Sequence, residues 1–230
     1  MTISRLPDNA GIGCVSLRVA SIERSLAFYR DLLGMTVEQR DDRTVDLGAP
    51  GATVLVTLRE VPNTRNRPQG AVGLYHYAVL YPSRRELGMA MLHLFQQRWP
   101  FQGFADHAVS EAAYLADPDG NGIELYSDRP RDDWPYENGQ IAMTSLALNV
   151  NSLIRSVDGE EWNGMPAHTR VGHIHLHVSD MDRAERFYQD VIGFDVMVRG
   201  YPGALFLAAG GYHHHLGANI WQSAGAAPPP

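Results

Sequence analysis

Residues 13–35 and 172–194 are two copies of one pattern, and this repeat limits the fold more than any other feature of the chain. The first copy reads GCVSLRVASIERSLAFYRDLLGM and the second GHIHLHVSDMDRAERFYQDVIGF. Each opens with alternating apolar residues, the period of a half-buried strand. A serine-containing turn follows, Ala20-Ser21 in one copy and Ser179-Asp180 in the other. An amphipathic helix carrying Phe28-Tyr29 or Phe187-Tyr188 then runs to a glycine stop at Gly34 or Gly193. Extended segments come next: Thr36–Arg40, Arg43–Leu47 and Thr53–Leu58 in the first copy, and Asp195–Arg199, Ala204–Ala208 and His215–Gln222 in the later one. The unit is strand, helix, strand, strand, strand.

A more divergent copy lies between these two. It opens with LYHYAVLY at Leu74–Tyr81, continues through a helix over Ser83–Arg98 bounded by Pro82 and Pro100, and closes with GIELYS at Gly122–Ser127. Asp117-Pro118-Asp119-Gly120-Asn121-Gly122 is a dense turn signal just before the closing strand. The expected organisation is a first unit over 1–70, a second over 71–128, a connector over 129–170, a third unit over 171–222 and a proline-rich tail over 223–230. The connector is rich in turn formers, with one helical piece expected over Leu148–Ser156. The class is α+β, built from tandem βαβββ modules, three of them visible.

Composition removes several functions. The chain is 44% hydrophobic, ample for a core, and its net charge of −7 comes with no basic run to serve as a nucleic-acid footprint. No apolar run approaches the roughly 20 residues that span a bilayer, and Met1–Gly11 lacks a signal-peptide pattern. The single cysteine, Cys14, permits no internal disulfide and suits a reducing cytoplasm. The ten histidines are clustered, several at the starts of strand-like runs.

A tandem of such units, with His in a first strand and Glu in a last strand, resembles the vicinal oxygen chelate superfamily, which includes glyoxalases, fosfomycin-resistance proteins and extradiol ring-cleaving dioxygenases. The segments WNGMPAHTRVGHIHLHVSDMDRAERFYQDVIGF and GGYHHHLGANIWQ are similar to those of catechol-2,3-dioxygenase-type proteins. The resemblance implies that modules pair so that their sheets form a cup around a metal. It also implies the ligands: His76 and Glu124 from the first and last strands of the second unit, and His173 from the first strand of the third. Two imidazoles and a carboxylate suit Fe(II), and Mn(II) suits the same donors. By residue type alone, His76 is equally a core histidine, Glu124 a solvent-facing strand residue, and His173, His175 and His177 a solvated strand face.

The ring-cleaving members carry His, Tyr, an acidic residue, Pro, Gly and Glu in series. Here the series is His107, Tyr114, Asp117, Pro118, Gly120 and Glu124; Ala105 and Ala113 depart from the family pattern at apolar positions. His107 and Tyr114 favour a dioxygenase over a glyoxalase. Of the run His213-His214-His215, the spacing to Ala218 marks His215 as the residue facing substrate and O₂, with His214 second. The resemblance assigns His215 as general base and then acid, and Tyr114 and His107 as hydrogen-bonding partners of the substrate oxygens. The expected reaction is O₂ insertion into a small aromatic diol beside its hydroxyls.

Two other functions share the fold: a lyase or transferase on Ni²⁺, Zn²⁺ or Mn²⁺, whose sites usually have a fourth protein ligand, and a metal-free binding protein. Cys14 stands where the first unit would carry its ligand His and reads as a buried small residue, so units two and three must build the site. The four-unit organisation usual among the ring-cleaving relatives would then leave unit one with an uncovered sheet edge or apolar face. Homo-oligomerisation is the simplest remedy, and truncation of a fourth unit is the other explanation.

Overall fold

The computed structural model describes residues 4–51, 54–64 and 67–227. Thr53 and the proline run 228–230 lie outside them. The strand–helix–three-strand unit appears three times. In the first, β1 (Val15–Val19), α1 (Ile22–Leu26), β2 (Thr36–Arg40), β3 (Thr44–Gly48) and β4 (Val54–Glu60) form a four-stranded sheet of order β1-β4-β3-β2. The second comprises β5 (Gly73–Leu80), α2 (Arg84–Gln96), β6 (Phe101–Asp106), β7 (Ser110–Ala116) and β8 (Gly122–Asp128). The connector contributes a two-stranded hairpin, β9 (Tyr136–Glu137) with β10 (Gln140–Ile141), and a helix α3 (Val150–Arg155). The third comprises β11 (Arg170–His177), α4 (Met181–Glu185), β12 (Asp195–Val198), β13 (Ala204–Ala208) and β14 (Leu216–Asn219). The second and third units share one eight-stranded sheet of order β12-β13-β14-β11-β5-β8-β7-β6.

Local chemistry fixes the units. Ser21, Ser83 and Asp180 are extended N-cap residues whose side chains accept from the backbone N–H three residues on, at Arg24, Glu86 and Arg183. The Ser83 hydroxyl also donates to Glu86 Oε2 at 2.5 Å. α2 buries Leu87, Ala90, Met91 and Leu94, the apolar stripe of a 3.6-residue period. Both α1 and α4 widen into π turns, over Ala27–Leu32 and Arg186–Ile192, which the apolar pattern does not announce. Gly34 and Gly193 end these helices with φ of 72° and 96°, a left-handed backbone that favours glycine.

The seam of the large sheet is the antiparallel pair β5–β11, in which His175 lies opposite His76 and Arg170 opposite Leu80. Irregularities in the pairing fall at Gly172 and beside His175, within the run that carries the histidines. The first unit packs on the helix side of the second, and both contribute to one core that includes Phe28, Tyr29, Tyr77, Leu87 and Leu125. Tyr29 donates its hydroxyl to Asp117 Oδ2 at 2.9 Å, tying that unit to the Asp-Pro turn before β8. Among the described residues, no helix is long and apolar enough to cross a membrane.

Two expectations about the first unit fail. Cys14 is exposed, 3.5 Å from Thr57 Oγ1. Strand alternation puts Val15, Leu17 and Val19 in the core and leaves Ser16 and Arg18 outward, beside Thr57 and Arg59 of β4. This outward face is polar where an apolar one was expected, while β1 and β2 are the edge strands of the first sheet.

Gly172 makes one contact on which the packing near the seam depends. A Cβ built there would lie 1.7 Å from the Tyr126 hydroxyl oxygen, which is fully buried. Gly172→Ala should therefore force Tyr126 out of place and destabilise the protein by about 1–3 kcal/mol, read as a lower urea midpoint. An unchanged midpoint would show that the seam has slack that the packing does not suggest.

Candidate metal centre

His76, Glu124 and His173 converge across the seam, each offering a ligand atom within 4.8 Å of the others. β5 and β8 run parallel and side by side, which sets His76 near Glu124 within the second unit. β11 brings His173 from the third. His76 Nε2 and His173 Nε2 lie 3.0 and 3.1 Å from the same oxygen, Glu124 Oε2. All three side chains are buried, which settles His76 and Glu124 as inward-facing and excludes a solvated face for His173. His175 and His177 are buried on the same side of β11.

The electrostatics suit a cation. Burial pushes the Glu124 carboxyl up, but His173 and His76 outweigh it and hold the group well below the usual carboxylate range. Burial pushes the His173 imidazole down to about 4, against the pull of Glu124. The contact from His76 Nε2 to the carboxylate is close but poorly directed, so that buried nitrogen has no hydrogen-bond partner. A buried carboxylate flanked by two imidazoles, with an unpartnered nitrogen turned toward it, suits a divalent ion bound by two His and one carboxylate. Among the described residues, this is the cluster of three or more His, Cys, Asp or Glu side chains close enough to hold a metal, and it contains one carboxylate.

A cavity of about 210 Å³ opens over the cluster. His107 and Tyr114 line it and bond to each other, Nε2 to hydroxyl, at 2.7 Å. His107 Nδ1–H donates to the Thr144 carbonyl at 2.6 Å, which leaves Nε2 to accept from Tyr114. Burial, with Glu124 nearby, pushes the Tyr114 hydroxyl well above its usual range, so it stays protonated. His107 and Tyr114 thus reach the cavity as the sequence suggests.

His215 does not. It lines a different cavity, with Arg131, Arg170, Tyr212 and the segment Asp8–Ile12, and its Nδ1 accepts from the Ala209 N–H at 3.2 Å. His214 occupies the position expected of it: it lines the metal cavity, its ring centroid 4.0 Å from that of His173. The physical reason is that neighbouring residues entering a strand point to opposite sides, and the three-histidine run gives spacing no way to say which side is which. His213 lies behind His214. Its Nδ1 is 2.7 Å from His214 Nδ1, and its Nε2 is 2.9 Å from Asp128 Oδ1. Asp128 in turn accepts from the Tyr212 hydroxyl at 3.0 Å.

Several lining residues were not singled out from the sequence. Tyr75, Met143, Ser145 and Tyr201 all reach the cavity. Met143 and Ser145 come from the connector, whose turn-rich composition gives no hint of a wall. Tyr75 precedes His76 in a strand, where alternation would send it to the other face; the pairing irregularity beside it is what turns it inward. Phe206 and Trp221 also line the cavity, while Trp99, Phe101, Phe104 and Trp162 pack against the large core.

A sequence profile described as the Glyoxalase/Bleomycin resistance protein/Dioxygenase superfamily matches residues 11–125 and 170–229, and the chain belongs to that superfamily. It is 46% identical over 232 residues to a catechol-2,3-dioxygenase of Bacillus subtilis (strain 168), covering 99% of this chain and 81% of that one. A crystal structure of a candidate dioxygenase from Bacillus subtilis subsp. subtilis strain 168 superposes with a TM-score of 0.60 at 14% identity, covering 92% of this chain. This chain spans 64% of that structure's length, and the likeness speaks for the fold alone.

If the cluster holds a cation, Mn(II) added to metal-free protein should raise Tm, by about 2.7 kcal/mol of stabilisation at a hundredfold excess over Kd. Glu124→Ala should abolish both the rise and stoichiometric metal retention. Retention of a full equivalent by Glu124→Ala would remove Glu124 from the ligand set.

Proposed function

We propose that this protein is an extradiol ring-cleaving dioxygenase, opening a catechol-type diol beside its hydroxyls at a centre of His76, Glu124 and His173. The observation that carries this reading is one cavity that joins the His-His-Glu cluster to both a Tyr114–His107 pair and His214. The 46% identity to a catechol-2,3-dioxygenase supports the same reaction. So does the single carboxylate of the cluster, since a lyase site on this fold usually has a fourth ligand.

Fe(II), or Mn(II) with the same donors, would act there as a Lewis acid that lowers the hydroxyl pKa of a chelating diol and leaves a position for O₂. The remaining roles belong to the chain. His214 takes a proton from the diol and later returns it. Its tautomer is set from behind. Asp128 accepts from His213 Nε2–H, and His213 Nδ1 engages His214 Nδ1 at 2.7 Å, occupying that nitrogen. Nε2 of His214 is then the nitrogen free to receive a proton. Tyr114, oriented by its 2.7 Å hydrogen bond to His107, accepts from a substrate hydroxyl and holds the ring against the cluster. The aromatic walls and the connector limit access of water.

The test starts from anaerobic reconstitution with Fe(II), followed by catechol and air. Oxygen uptake with a yellow ring-cleavage product is expected. His214→Ala should keep its iron and lose about 10²–10⁴-fold in kcat, the usual range for a general acid–base group. His215→Ala should keep both iron and turnover. The opposite result for the two variants would return the base role to His215.

A further inference from the structure

The hollow that takes His215 is a separate cavity of about 300 Å³, and it shares no lining residue with the metal cavity. It lies between the segment Asp8–Ile12, the start of β11 and the turn that leads into β14. Arg131, Arg170 and His215 supply its chemistry. Arg131 is held in place. Its Nη1 donates to the Gly210 carbonyl at 3.1 Å, and its guanidinium carbon sits 5.4 and 5.8 Å from the ring centroids of Trp134 and Tyr212. Arg170 is the exposed first residue of β11. Among the described residues, neither guanidinium has an ion-pair partner, whereas Arg129 and Arg199 nearby in the chain are both paired. The carboxylate on the wall, Asp8, is exposed and pairs with neither.

His215 adds a third donor. Its Nδ1 accepts from the Ala209 N–H, so the ring proton sits on Nε2. A Cβ built on Gly11 would stand 4.0 Å from that nitrogen, so glycine there leaves Nε2–H open to the hollow. Burial foremost, with Arg131 and Arg170 among the neighbouring charges, pushes the imidazole down to about 4, which keeps it a neutral donor beside two cations. In a chain of net charge −7, the hollow is thus locally basic and rich in unsatisfied N–H groups. Guanidinium forks match the paired oxygens of carboxylate and phosphate groups, and their charge strengthens each bond. We propose that this hollow binds a small oxyanion, a phosphate or a carboxylate, between Arg131, Arg170 and Nε2–H of His215. The site does not rest on the ring-cleavage reading. Its place in the fold is nevertheless close to the chemistry, since Tyr212 belongs both to its wall and to the polar contacts that run through Asp128 and His213 to His214.

Calorimetry on the full chain tests this, with inorganic phosphate and acetate titrated separately and sodium chloride holding the ionic strength constant. One equivalent is expected to bind with a Kd of about 1 mM or below, and the tighter of the two anions identifies the class of oxyanion. Arg170→Gln, at an exposed position, should weaken binding by about tenfold. The double variant R131Q/R170Q should lose saturable binding altogether. Its Tm without anion reports whether it folds, and if it does not, Arg170→Gln alone decides. Absence of saturable binding of either anion by the wild type up to about 10 mM would overturn the site. So would a Kd that changes by less than about twofold in Arg170→Gln. Binding that survives in the folded double variant would place the anion elsewhere, the metal cluster included, and would also overturn it.

Discussion

The antiparallel pairing of β5 with β11 is the interaction on which the rest depends. It joins the second and third units into one eight-stranded sheet and sets His175 opposite His76. Neither unit holds the metal cluster alone, since His76 and Glu124 come from one and His173 from the other. Strand register has a period of two, so a slip of one residue would turn the histidines of β11 to the other face of the sheet. The buried carboxylate makes such a slip costly, because a charge withdrawn from water must keep its partners. The site and the seam thus constrain each other: the histidines satisfy Glu124, and Glu124 holds the histidines in register.

Behind the site, polar groups continue in ordered chains. Tyr126, Tyr212, Asp128, His213 and His214 are linked in sequence by contacts of 2.7–3.0 Å. A second chain runs from the Thr144 carbonyl through His107 to Tyr114. In a low-dielectric interior, such chains hold side chains in a single orientation and make each member's loss expensive. They also divide the labour of the units, with the connector supplying the carbonyl that orients His107 and the third unit supplying His214.

Much of this is legible in the sequence. The repeat at 13–35 and 172–194 predicts the strand, capped helix and glycine stop that the structure contains, because caps and alternation are local chemistry. The ligand roles of His76, Glu124 and His173 come from the family resemblance, since strand alternation alone leaves their facing open. What the sequence does not carry is facing. His214 and His215 are chemically the same and adjacent, and only the path of the chain into β14 separates them. Cys14 has the composition of a core residue, yet strand alternation in β1 puts it outside. The cavity wall from Met143 and Ser145 is unreadable because a connector has no periodicity to show which side it presents.

The connector has one more consequence, for the order in which the molecule is made. His76 and His173 stand roughly 100 residues apart along the chain, and contacts of such separation form late because loop closure precedes their reward. During synthesis, two of the three proposed ligands, His76 and Glu124, emerge before His173. Glu124 and His76 must wait as an incomplete, solvent-accessible pair, with no pocket to give them selectivity among metals. On the proposed reading of the cluster as a metal centre, the ion bound there is therefore exposed to the metal supply at the moment β11 docks, as well as to the preferences of the closed site.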